Sequence, residues 1–132
     1  MKQNRKAEFD ASNLNILVVD DEEHVGLFVE TVLTNRGHNI TRCMDGHKAL
    51  ELFKSDSDFF DLVITDQNMP RMSGIELSRK ILKIRKDIPV VLSTGYGYED
   101  IVDISRDIEI RVYLSKPLKP NELIDCIEAC GY

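Results

Sequence analysis

Charged and hydroxyl side chains stand at the ends of four short apolar segments of this chain. They are Asp20 and Asp21 after residues 14–19, Asp66 after 62–65, Thr94 after 88–93 and Lys116 soon after 110–114. Short apolar segments of this kind are typical of buried strands. If the strands are parallel, their carboxyl ends lie at one edge of a sheet, where open α/β sheets bind ligands. The five side chains would then share one site.

Three carboxylates crowded at one edge indicate a cation, because their mutual repulsion is costly without one. Asp20, Asp21 and Asp66 offer hard oxygen ligands and no soft ligand accompanies them, which favours Mg²⁺. Together with Mg²⁺, Lys116 and Thr94 could hold the oxygens of a phosphoryl group. Asp66, central in the set, could then attack phosphorus as a carboxylate nucleophile.

Each of these residues also has an ordinary structural explanation when it is taken alone. An Asp after a strand is commonly a helix cap or a turn residue, and a single Thr or Lys carries little information. The functional interpretation depends on the combination, since so many polar residues at separate strand ends are not expected by chance.

Helical periodicity fills the intervals between the predicted strands. Apolar residues recur at helical spacing within about 22–36, 46–54, 73–85, 98–106 and 120–130, and one more short strand is predicted at 39–43. Ser73, with Glu76 three residues later, forms the capping box that begins the third helix. Strand and helix thus alternate five times, which predicts a doubly wound α/β domain with a parallel sheet covered on both faces.

Four motifs give the chain a specific resemblance to the receiver domain of two-component response regulators, over about residues 14–130. They are Ile16-Leu17-Val18-Val19-Asp20-Asp21, Asp66-Gln67-Asn68-Met69-Pro70 with Gly74 beyond it, Ser93-Thr94-Gly95, and Tyr113-Leu114-Ser115-Lys116-Pro117. The resemblance implies a flavodoxin-like (βα)5 fold with strand order 2-1-3-4-5. It also implies a signalling domain rather than an enzyme.

The resemblance further implies a role for each matching residue of the site. Asp66 resembles the phosphoacceptor, which takes phosphate from a histidine kinase or a phosphotransfer domain. Asp20 and Asp21 would bind Mg²⁺ with Asp66 and the backbone carbonyl of Asn68, and Lys116 would pair with the phosphoryl oxygens.

The resemblance implies a switch as well. Thr94 would turn toward the phosphoryl oxygens, and Tyr113 would rotate into the space behind it. The face of the fourth helix, fifth strand and fifth helix would then dock a partner or a second copy of the chain. Gly74 and Pro117 match structural positions, and the Lys116–Pro117 bond is expected to be cis.

Two alternatives remain open at this point. A phosphohydrolase of the haloacid dehalogenase type also uses an Asp nucleophile, a Thr, a Lys and Mg²⁺, but that class resembles Asp-x-Asp after the first strand, where this chain has Glu22 two residues past Asp20. The other alternative is a degenerate receiver that acts only as a docking module. No position in the matched set departs from the receiver pattern.

The composition narrows the class of protein further. With 132 residues, a net charge of −6 and a pI near 5.0, the chain is not expected to bind nucleic acid directly, since phosphate contacts need basic residues. No apolar run approaches the roughly 20 residues of a membrane span. An odd number of cysteines fits reduced thiols in the cytoplasm. The three histidines are expected to be solvated surface residues.

The expected domain organisation is a flexible arm or linker at residues 1–13 followed by the receiver at 14–132. A stand-alone regulator and a receiver from a hybrid histidine kinase both fit this arrangement. Cys126 and Cys130 lie four apart on the last predicted helix. No nearby ligand completes a zinc set, so they are expected to be packing residues.

Overall fold

Strands and helices alternate along the chain in the computed structural model, which describes residues 13–95 and 97–132. The strands are β1 (Asn15–Val19), β2 (Asn39–Cys43), β3 (Leu62–Asp66), β4 (Val90–Thr94) and β5 (Val112–Ser115). The helices are α1 (Glu23–Thr34), α2 (Gly46–Ser55), α3 (Gly74–Ile84), α4 (Tyr98–Ile104) and α5 (Pro120–Ala129). Apart from Asn13, the predicted arm at residues 1–13 lies outside the described residues.

The strands form one parallel sheet in the order β2-β1-β3-β4-β5. This confirms the predicted doubly wound fold and its strand order. The register aligns Asp66 with Ser93 and Thr94 with Ser115. The carboxyl ends of β3, β4 and β5 are therefore level, and the chain reverses its direction of winding between β1 and β3, the place where such sheets bind ligands.

Two hydrophobic cores cover the two faces of the sheet. Successive strand residues point to opposite faces, so that Ile16 and Val18 enter the core under α1 and α5, while Leu17 and Val19 enter the core under α2 and α3. Burial on both faces is the reason that the strands are almost wholly apolar. Cys126 and Cys130 lie in the first core as predicted, and burial raises the pKa of the Cys126 thiol to about 12.

The element boundaries differ from the sequence prediction by a few residues. The fourth strand begins at Val90 rather than at residue 88, since Pro89 has no amide hydrogen to donate to the ladder. The prediction for His38 was wrong, because this side chain is buried and its Nδ1 accepts a hydrogen bond from the Leu14 amide at 3.3 Å. Among the described residues, no helix has the length and apolar character needed to cross a membrane.

Candidate functional site

Three carboxylates meet where β1 and β3 end. Asp20 and Asp21 follow β1, and Asp66 is the last residue of β3, its hydrogen-bonded neighbour. One oxygen from each of the three carboxylates lies within 4.8 Å of the others. Asp20 and Asp66 are buried, and Asp21 is half-buried. The structure therefore brings together the three acids that the sequence singled out.

Lys116 reaches this acidic cluster from beyond the end of β5. Its Nζ lies 3.1 Å from Asp66 Oδ1, 3.3 Å from Asp20 Oδ2 and 3.5 Å from Glu22 Oε1. The Lys116 amide donates to the Thr94 carbonyl at 2.9 Å, which anchors its backbone at the end of β4. The Lys116–Pro117 bond is cis, as the resemblance implied. Glu22 was missed by sequence reasoning, because an exposed Glu at a helix start has an ordinary capping role.

The electrostatics of the site follow from burial and from the excess of carboxylates over cations. Burial, reinforced by the Asp20 carboxylate and opposed by Lys116, raises the pKa of Asp66 to about 6. Burial also raises the pKa of Asp20, although the Glu22 amide and Lys116 favour its ionised form. Burial lowers the pKa of Lys116, but Asp20 and Asp66 outweigh it, and the net shift is upward. Lys116 therefore stays protonated, but its single positive charge does not balance the carboxylates of Asp20, Glu22 and Asp66.

The donor set fits a divalent cation such as Mg²⁺. Asp66 Oδ1 is buried and makes no hydrogen bond among the described residues. Its ion-pair partner is the Lys116 ammonium, 3.1 Å away, which is shared with Asp20 and Glu22. A buried charged oxygen normally requires a partner. Carboxylate oxygens are the ligands that Mg²⁺ prefers, so Asp20, Asp21 and Asp66 are suited to hold it.

The start of α3 is packed closely against the backbone of Asp66. A Cβ at Gly74 would overlap the backbone carbonyl oxygen of Asp66 and come within 2.7 Å of Leu92 Cδ1. Gly74 is therefore needed for the start of α3 to lie on the Asp66 peptide. Asn68 is exposed in the loop between β3 and α3, two residues past Asp66, and its role as a carbonyl ligand stays a prediction.

The far end of the same loop is tied to α2. Arg71 Nη2 lies 2.6 Å from Asp45 Oδ2, and Asp45 Oδ1 accepts the His47 amide at 2.7 Å as the N-cap of α2. Arg71 has a positive φ of 68°. One carboxylate thus caps a helix and anchors the loop, and no short-range sequence pattern indicated this contact.

Comparison with known protein families agrees with the geometry. The family described as the response regulator receiver domain matches residues 16–128. The chain belongs to this family. Receiver domains are signalling domains rather than enzymes in the ordinary sense, and the assignment does not favour the phosphohydrolase alternative.

This chain spans different shares of the length of its individual relatives. The chemotaxis protein CheY of Treponema pallidum is 33% identical over 113 residues, which are 85% of this chain and 78% of CheY. The two-component response regulator ARR14 of Arabidopsis thaliana is 33% identical over 112 residues, 85% of this chain but 29% of ARR14. A crystal structure of a receiver domain protein from Clostridium thermocellum, 29% identical, has a TM-score of 0.83 over 89% of this chain and 93% of that chain.

Thr94 and Tyr113, the switch pair that the resemblance implied, lie on one face of the receiver sheet. Tyr113 pairs with Leu92, and Leu92 and Thr94 point the same way because strand side chains alternate. Thr94 is buried and Tyr113 is half-buried. The Tyr113 ring meets Tyr98 edge-on, with centroids 5.7 Å apart.

Proposed function

We propose that this chain is a phospho-accepting receiver in which Asp66 takes a phosphoryl group from a histidine kinase or a phosphotransfer domain, with Mg²⁺ required. The observation that carries the proposal is the position of the Asp66 carboxylate. It is buried at the sheet edge between the Asp20–Asp21 pair and the Lys116 ammonium, 3.1 Å from the latter. Membership of the receiver family supports the same assignment.

The chemistry is a displacement at phosphorus. One Asp66 oxygen forms a bond to phosphorus as the phosphorus–nitrogen bond of the donor phosphohistidine breaks, and the electron pair of that bond stays with the imidazole, which leaves. With a pKa of about 6, Asp66 is mostly ionised at neutral pH and ready to attack. Lys116 pairs with a phosphoryl oxygen. Asp20, Asp21 and Asp66 would hold Mg²⁺, which would supply further neutralisation of the phosphoryl charge.

The phosphorylated state is read out through Thr94 and Tyr113. A phosphoryl group adds strong acceptor oxygens and about two negative charges next to Thr94. The Thr94 hydroxyl turns toward those oxygens, and Tyr113 moves into the space that it leaves. This biases the face of α4, β5 and α5, where a partner or a second copy of the chain docks. The activity and partners of any longer protein that contains this receiver belong to the same proposal.

The test is intact-mass spectrometry after incubation with phosphoramidate and Mg²⁺. The parent should gain one phosphoryl group, and Asp66→Asn should gain none, because the amide is not a nucleophile. Asp58→Asn makes the same charge change at an exposed position and should react like the parent. Phosphate on Asp66→Asn, or none on the parent, would contradict the proposal.

A further inference from the structure

Gln67, the residue directly after Asp66, is buried and hydrogen-bonded at three points. Its amide donates to the Ser93 carbonyl at 2.8 Å, and its carbonyl accepts from the Gly74 amide at 3.0 Å. Its side-chain Oε1 accepts from the Ile75 amide at 2.9 Å. These bonds join the end of β3 to β4 on one side and to the first turn of α3 on the other.

The side-chain bond does more than cap a helix. Ser73 is the N-cap of α3, and its Oγ accepts the Glu76 amide at 3.1 Å while Glu76 Oε1 accepts the Ser73 amide at 3.0 Å. This capping box satisfies the third amide of the helix and leaves the first two open. Both open amides, those of Gly74 and Ile75, bond to Gln67. Because Gln67 lies eight residues before Ile75, the bond also closes the whole loop on itself.

The closed loop contains or contacts groups whose positions matter for the proposed reaction. Asn68, whose carbonyl is the predicted fourth protein ligand of Mg²⁺, is the next residue. Gly74 at the other end lies directly on the Asp66 peptide. A buried amide side chain is costly unless it is hydrogen-bonded, and an apolar residue at this position would leave the buried Ile75 amide without its acceptor. The bond to Ile75 therefore requires a side chain with an acceptor at residue 67, directly beside Asp66 and Asn68.

We propose that the Gln67 side chain is a positioning residue for the metal and phosphoryl site, which holds the 67–75 loop closed and so keeps Asp66 and the Asn68 carbonyl in place for Mg²⁺. The inference rests on the proposed function and assigns it one more residue. Removing a side chain that orients the metal ligands without binding the metal commonly weakens metal affinity by about tenfold or more. Gln67 acts through Asp66 and Asn68 and does not itself touch the metal.

The experiment is a calorimetric titration of the purified chain with Mg²⁺ alone, and it compares two variants at the same helix end. Gln67→Met keeps the length of the side chain but removes its acceptor, and we expect the dissociation constant for Mg²⁺ to rise about tenfold. Ser73→Ala removes the other cap of α3 and should lower the melting temperature without changing the Mg²⁺ affinity. If both variants lower the melting temperature and neither weakens Mg²⁺ binding, Gln67 is only a helix cap and the inference is overturned.

If Gln67→Met does not fold, amide exchange of the parent with and without Mg²⁺ tests the inference instead. Mg²⁺ should slow amide exchange at Gly74 and Ile75, which are bonded to Gln67, more than at Glu76, which is bonded to Ser73. Equal protection of the three amides would overturn the inference. Phosphorylation of the parent is followed in parallel. A parent that binds Mg²⁺ but gains no phosphate refutes the proposed function and leaves Gln67 to be judged by the titration, whereas a parent that binds no Mg²⁺ refutes both.

Discussion

The hydroxyl of Tyr113 lies 2.6 Å from the Oγ of Ser105, the C-cap residue of α4. Ser105 Oγ also donates to the Ile101 carbonyl at 2.7 Å, which leaves the Tyr113 hydroxyl as the donor of their shared bond. No side chain within α4 itself is buried, whereas Ser105 is buried. Because the Tyr113 ring also contacts Tyr98 at the start of α4, the proposed switch residue is attached to both ends of this helix.

Ser105→Ala should loosen α4. The substitution removes the partner of the Tyr113 hydroxyl and one bond to the Ile101 carbonyl, and a hydrogen bond worth about 1 kcal/mol corresponds to about fivefold faster local opening. Amide exchange of residues 98–105 should therefore speed up by that factor. Ser55→Ala is the matched control, since Ser55 Oγ donates to the Leu52 carbonyl at 2.8 Å near the end of α2 with no aromatic partner. Unchanged exchange in α4 would show that Ser105 does not restrain it.

The stability of the metal-free chain should depend on pH through Asp66. Its pKa is about 6 in the folded chain and about 4 in an unfolded one. Between about pH 4 and pH 6 the unfolded chain loses this proton first, so the free energy of unfolding falls as the pH rises. Asp66→Asn mimics the protonated side chain and should be about 1–3 kcal/mol more stable than the parent at neutral pH, with the difference vanishing below about pH 4.

Urea unfolding followed by circular dichroism in the presence of a chelator measures that difference. Added Mg²⁺ should stabilise the parent and not the variant, because the cation favours the ionised Asp66. A parent that is as stable as Asp66→Asn near neutral pH would mean that the site is not strained by its buried charge.

Asp21→Asn should separate metal binding from folding. Burial is the main cause of the raised pKa of Asp66, and the charge of the half-buried Asp21 raises that pKa further. The substitution should weaken Mg²⁺ binding by about tenfold or more while the metal-free melting temperature stays the same or rises, because one repulsive charge is gone. Asp20→Asn is a poorer test, since Asp20 Oδ1 also accepts the Glu22 amide at 2.9 Å. A clear loss of metal-free stability in Asp21→Asn would assign this acid a structural role.

The fold and the convergence of the site residues were predictable because they follow from local patterns. Apolar strands that alternate with amphipathic helices indicate a parallel sheet, and parallel strands place their carboxyl ends at one edge. Asp66 and Thr94 end their strands, and Asp20 and Lys116 directly follow theirs. The sheet alone therefore brings these four residues together. Their chemical roles were inferred from the residue types and from the family resemblance, and they stay predictions.

The contacts that the sequence did not indicate join residues outside the strand ends. Glu22 is exposed at a helix start and meets Lys116 only through the folded sheet. Arg71 pairs with Asp45 across 26 residues of chain, and neither side chain belongs to a periodic pattern. His38 was expected in solvent because it lies in a polar turn, but the buried Leu14 amide needed an acceptor there. Such partners depend on tertiary geometry, which a pattern of residue types does not encode.

Gly74→Ala should destabilise the chain through a clash that cannot relax cheaply. The added methyl group would meet the Asp66 backbone carbonyl and Leu92 Cδ1, and only a shift of α3 away from β3 would relieve the overlap. We expect a loss of about 1–3 kcal/mol in the free energy of unfolding, typical of overpacking in a core. Gly26→Ala is the control, because its methyl group would meet only the Arg42 side chain, at 3.3 Å from Nη1, and no backbone atom. Alanine is also the better helix former, by about 1 kcal/mol. Urea unfolding should show Gly74→Ala weakened and Gly26→Ala equal to the parent or more stable; equal stability of Gly74→Ala and the parent would mean that α3 does not rest on the Asp66 peptide.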